Sequence, residues 1–181
     1  MKKSILIYFI LALCFLIPDV SMAADAQATI AKGFRGVPWG IKESEAQSYG
    51  LAREYTSVYR KGNENNSLGD IPLKHINYIF DKMGNNESKF NSVVMYADRR
   101  HEARLAQELV KLFGLPTMNT NRLYSGTTFP FYKDLEWNLA NVIVTYGYWI
   151  NDIVAYSPPF TEVKVSITYK DPNSPQRGGG L

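Results

Sequence analysis

Asp98-Arg99-Arg100-His101-Glu102-Ala103-Arg104-Leu105-Ala106-Gln107-Glu108-Leu109-Val110-Lys111-Leu112-Phe113-Gly114-Leu115-Pro116 is the stretch on which the fold turns. Ala103, Ala106, Leu109, Val110 and Phe113 recur at three- and four-residue spacing, and Leu105 and Leu112 widen the stripe. That period predicts a helix over Arg99 to Phe113 lying with one face on a sheet. Asp98 is placed to cap its start, while Gly114 and Pro116 stop it. Arg104, Glu108 and Lys111 fall on the opposite face, where pairs along a helix contribute only about 0.2–0.5 kcal/mol each. This charge reads as a solvated face.

Working back from the helix, the periods become those of strands. Phe90 to Ala97 is one, Gly84-Asn85-Asn86 a turn, and Ile71 to Phe80 another strand, with Ile76, Tyr78 and Phe80 on one face and Ile71, Leu73, His75 and Ile79 on the other. An antiparallel meander is the economical connection. Tyr55 to Arg60 is rich in β-formers, and 61–67 is a loop with little to bury. Further back, Phe34 to Gly40 reads as a short strand, its Pro38 confined to an end or edge. Lys42 to Tyr49 follows as a short helix with Glu43 and Glu45 in its first turn and Gly50 at its stop.

Beyond the helix, Arg122 to Tyr124, Phe129 to Leu135, Ala140 to Tyr148 and Ile153 to Tyr156 are strand candidates, and Val163-Val165-Ile167-Tyr169 alternates cleanly. Strand, helix, then strands therefore occurs twice in loosely similar form. The pattern predicts a single α+β domain over 33–170, with one mainly antiparallel sheet and two helices packed on one face. Residues 24–32, small and polar without a clear period, are expected as a flexible lead-in, and 171–181 as a flexible tail.

The first residues carry an address. Met1-Lys2-Lys3 is a positive start, Ile5 to Ile17 a continuous apolar run, and Ser21-Met22-Ala23 a small-residue site, so 1–23 reads as a secretory signal peptide cut between Ala23 and Ala24. A spanning helix wants roughly 20 apolar residues, which this run lacks before Asp19. A lipoprotein reading fails because Leu13 precedes Cys14 where a small residue is required. Cys14 is the only cysteine, so cleavage leaves a cysteine-free mature chain, expected in a bacterial periplasm or secreted, with no membrane span and held together by packing alone.

The chain has 181 residues and a formal net charge of +3, with acids and bases mixed and no Lys/Arg block. Nucleic-acid binding, which requires a clustered basic footprint, is not expected.

Three pieces of this sequence resemble a family of short secreted bacterial proteins of unknown function: Phe34-Arg35-Gly36-Val37-Pro38-Trp39-Gly40, Tyr59-Arg60-Lys61-Gly62 before a strand, and the helix end Leu112-Phe113-Gly114-Leu115-Pro116-Thr117, with Trp137 in a later strand. The resemblance implies a small α+β domain of one antiparallel sheet and two helices, and no catalytic signature. Ile41 departs from it, standing where a hydroxyl cap is expected.

Chemistry is sparse. His75 in a strand and His101 in the first turn of a helix are the only imidazoles, each read as structural. No His pair at metal-ligand spacing exists, and 63–70 imitates a calcium loop only in polarity. Tyr124-Ser125-Gly126 lacks the first glycine of a nucleophile elbow, and Gly178-Gly179-Gly180 opens no helix. Asp134, Glu136 and Asp152 read as strand-end acids. No catalytic residue, metal or cofactor is expected.

Aromatic residues crowd the second half, and Tyr146, Tyr148, Trp149, Tyr156 and Phe160 are the candidates for partner binding, because amphipathic rings bury area while keeping a polar handle. Filling the core between sheet and helices is the other reading of the same rings. The sequence thus suggests a non-catalytic binding or assembly module for an envelope protein or cell-wall component. The alternative is a carboxylate-dependent hydrolase of cell-wall glycan or peptide.

Overall fold

A computed structural model describes residues 18–83, 87–123, 131–149 and 162–172. The fold is α+β with a mainly antiparallel sheet. Among the described residues the strands are β1 (Gly33–Phe34), β2 (Val37–Pro38), β3 (Leu51–Tyr55), β4 (Val58–Lys61), β5 (Ser67–Leu68), β6 (Ile71–Met83), β7 (Glu87–Asp98), β8 (Met118–Leu123), β9 (Phe131–Asn138), β10 (Val142–Trp149) and β11 (Glu162–Tyr169). The helices are α1 (Pro18–Lys32) and α2 (Glu102–Phe113), with 3-10 turns at Glu43–Tyr49 and Arg99–His101.

The main sheet runs β3-β4-β6-β7-β11-β10-β9-β8. The chain enters at one edge, works inward to β7, crosses by α2 to the opposite edge at β8, and works inward again to β11, which pairs with β7. One half of the sheet is thus β3-β4-β6-β7 and the other β8-β9-β10-β11.

Register makes the core visible as rows across the sheet. Trp137, Val144, Ile167, Val93, Tyr78 and Tyr59 are successive cross-strand partners, and so are Leu135, Tyr146, Val165, Met95 and Ile76. All of these except Leu135 are buried. Over them α2 sets Leu105, Leu109 and Phe113, also buried, each worth about 1.5–3 kcal/mol when fully removed from water. Asp98 caps the 3-10 turn Arg99–His101 that leads into this helix, its carboxylate accepting from the Arg100 N–H at 3.0 Å, whereas α2 itself starts after His101 with no side-chain cap. The apolar stripe is centred on Leu105 rather than on Ala103, which is exposed. Arg104 pairs across the chain with Asp70 at 2.5 Å.

Four local readings are corrected. Residues 24–32 belong to helix α1, not to a lead-in: Ile30 is buried, and the Gln27 Nε2 donates to the Phe113 carbonyl at 3.0 Å, satisfying an orphan acceptor at the end of α2. Phe34 to Gly40 is a hairpin, not one strand. Arg35 (φ 47°) and Gly36 (φ 81°) turn it with the positive dihedrals of a primed two-residue loop. Tyr55 to Arg60 is likewise broken at Thr56-Ser57, where Ser57 has φ 63°. In β6, a register shift between Leu73 and His75 turns Leu73 toward the helices with Ile76, because one extra residue reverses the side-chain alternation.

The short helix at Glu43–Tyr49 is 3-10 and starts at Lys42, whose N–H donates to the Glu45 carboxylate at 2.8 Å. No hydroxyl is needed at Ile41. Gly50, at φ 74°, ends it.

Candidate functional site

With the helices on one side, the alternation of the strands sends a second set of side chains to the other. Here His75, Tyr96, Lys164 and Gly147 are successive partners across β6, β7, β11 and β10, and beside them run Asn77, Val94, Ser166, Thr145 and Glu136. Tyr55, Val58 and Ile79 extend this face toward the β3 edge. Tyr55 is 54 % exposed.

Its centre is a ring pair. The His75 imidazole lies 4.4 Å from the Tyr96 ring at an interplanar angle of 31°. Burial, reinforced by the Arg60 guanidinium and by Lys74, pushes the imidazole below its ordinary pKa against the opposing pull of Glu162 and Glu54. Burial also raises the Tyr96 phenol, helped by Glu162 and Tyr55, and lowers the Lys164 ammonium. Each group is biased toward its neutral form.

Charge around the pair is compensated. Arg60 donates from Nε to the Asn77 Oδ1 at 3.3 Å and pairs with Glu54 at 3.3 Å, and Lys74 meets Glu162 at 2.8 Å. Such an array can recognise a ligand by hydrogen bonds and ring contact, with no single sign of charge to steer it.

Tyr146 is only 2 % exposed, and its hydroxyl donates to the Glu102 carbonyl at 3.0 Å, so it is part of the core beneath α2 and not a partner-binding ring. Tyr148 and Trp149 stand at the end of β10, opposite Tyr132 and Phe131. Tyr156 and Phe160 lie outside the described residues, as do Asp152 and Ser125. Ala23 and Ala24 fall within α1. The His101 Nε2 accepts from the Arg100 Nε at 3.3 Å, and Glu136 is 8 % exposed in β9.

Within 63–70 the acids already have protein partners. Glu64 accepts from the Tyr78 hydroxyl at 2.5 Å and pairs with Arg35 at 3.3 Å, and Asp70 holds Arg104. Among the described residues no group of three His, Cys, Asp or Glu is gathered for a metal, and no helix is long and apolar enough to cross a membrane. A separate groove of about 570 Å³ opens between α1 and the β1–β2 hairpin, with Asp25, Thr29, Lys32, Arg35 and Pro38 in its wall. The Arg35 guanidinium there is committed to Glu64 and to the Asn65 and Ser67 carbonyls.

Sequence reasoning missed the His75–Tyr96 pair. Each sits in a strand that was legible, but only the register of β6 against β7 brings them together. Compared with known proteins, the chain matches no family model, no curated sequence and no solved structure.

Proposed function

We propose that this is an exported bacterial envelope protein, directed by residues 1–23 to the periplasm or beyond, that works as a non-catalytic binding or assembly module. Its binding surface is the sheet face opposite the helices. The observation that supports this reading most is the His75–Tyr96 pair, biased neutral and ringed by compensated ion pairs. Half-buried rings with polar edges provide contact area at low entropic cost, and a face without net charge suits a protein or cell-wall surface better than a polyanion.

Substitution on the two sides of the sheet tests the reading. Tyr55→Asp and Thr168→Arg introduce charge at exposed positions on the His75 face, while Lys111→Glu changes the exposed side of α2. Binding of the purified protein to an envelope fraction is expected to weaken at least tenfold in the first two and to persist in the third, with the urea midpoint unchanged in all three. Equal loss in all three, or no loss in the first two, overturns it.

A further inference from the structure

Helix α1 runs from Pro18 to Lys32 and therefore passes through Ser21-Met22-Ala23, the small-residue site at which the leader is read to end. The Ala23–Ala24 amide lies more than one turn inside the helix, where backbone groups are engaged along the axis rather than presented in extended form. Downstream the helix is fastened at three points: Gln27 to the Phe113 carbonyl, Ile30 within the core, and the Ile30 carbonyl to the Trp39 Nε1 at 2.7 Å. Proteolysis of a folded chain proceeds through opened backbone, so exposing this amide requires α1 to unwind first.

We infer that processing and folding are ordered at this bond: Ala23–Ala24 is cut while 18–32 is still extended, and Ala24–Lys32 then docks as the N-terminal helix of the mature domain. This rests on the reading of 1–23 as an export leader. Water adds across the amide under an endopeptidase that cuts after small residues. Ala23 leaves as a carboxylate with the leader, and Ala24 becomes an α-ammonium. That new cation falls at a helix N-terminus, where the dipole opposes it, and Asp25 in the same turn offsets the penalty. Cleavage thereby converts the middle of one helix into the start of a shorter one without disturbing Gln27 or Ile30. A precursor that folds before it is cut has its site closed.

The full-length chain in detergent, either folded or freshly diluted from urea, is incubated with a purified leader peptidase and the products are weighed by mass spectrometry. The expected result is a product beginning at Ala24 that forms at least tenfold more slowly from the folded chain. Ala26→Pro, which breaks α1 between the site and its anchors yet suits the first turn of the shortened helix, is expected to restore fast cutting of the folded chain. Equal rates from folded and unfolded chains, or no acceleration by Ala26→Pro, overturn the ordering while leaving the leader intact. A product that begins elsewhere in both states overturns the leader boundary itself, and the inference with it.

Discussion

The Trp39 indole lies face to face with Phe90, ring centroids 4.7 Å apart and planes within 19° of each other. Its other neighbour is Tyr169, stacked at 6.0 Å, and its Nε1 donates to the Ile30 carbonyl at 2.7 Å. One side chain thus ties α1, β7 and the end of β11 together. Trp39→Ala is expected to cost about 3–5 kcal/mol, the range for emptying an aromatic site. Trp39→Phe keeps one ring in the stack but loses the pyrrole half of the indole together with the N–H, whose hydrogen bond alone contributes about 0.5–1.5 kcal/mol, so its loss is expected above that value and below that of Trp39→Ala. Urea midpoints at constant slope measure both; near-equal losses would mean that the hydrogen bond, not the stack, carries the residue.

Tyr146 separates core from surface. Its ring lies in the row Leu135, Tyr146, Val165, Met95, Ile76 and its hydroxyl reaches the first turn of α2. Tyr146→Phe is expected to lower stability by about 0.5–1.5 kcal/mol while leaving envelope binding unchanged, and Tyr146→Ala by about 3–5 kcal/mol. Weaker binding by a Tyr146→Phe protein of undiminished stability would return this residue to the partner surface.

Arg35, the second residue of the Phe34–Gly40 piece, accounts for that motif physically. The turn requires a positive φ there, and the guanidinium so placed pins 64–67 through Glu64 and two carbonyls, while the Lys61 ammonium donates to the Arg35 carbonyl at 3.1 Å. The Glu64 side chain is only 7 % exposed and also accepts from Tyr78. Glu64→Gln and Tyr78→Phe are each expected to cost about 1.5–3 kcal/mol, the value of a hydrogen bond to a charged group. In the double variant the losses should fall short of additivity by about 0.5–3 kcal/mol. Full additivity, read from thermal or urea unfolding, would show that the two residues act separately.

Contrast between neighbouring residues decides what the sequence makes legible. Leu and Phe against Arg, Glu and Lys reveal α2 at once, whereas five of the 15 residues of α1 are alanines, which favour helix yet mark no face. Alternation reveals β6, but the extra residue near Lys74 that turns Leu73 to the helices leaves no compositional trace. The candidate site is harder still. His75 and Tyr96 stand in different strands and become neighbours only through register, and the crowd of aromatic residues near Tyr146 draws attention to a region whose most central member is core.

His75 provides a pH test of that face. Its imidazole is held below the ordinary value of 6.5, chiefly by burial, with Arg60 and Lys74 adding to the effect and Glu162 and Glu54 opposing it from β11 and β3. The folded state therefore binds fewer protons than the unfolded state in this range. The associated stability is fully present above pH 6.5 and is lost as pH falls through the folded-state pKa. Asp98 acts in a lower window: the Arg100 N–H, first among its causes, lowers its carboxyl below 3.8, so its contribution disappears only under stronger acid. His75→Gln is expected to flatten the decline that begins near pH 6.5 and to leave the lower one, as followed by urea midpoints across the range. An NMR titration of the His75 ring should place its midpoint below 6.5. A midpoint above that value would mean that Glu162 and Glu54 outweigh burial, and the neutral centre on which the binding face is argued would be a cation instead.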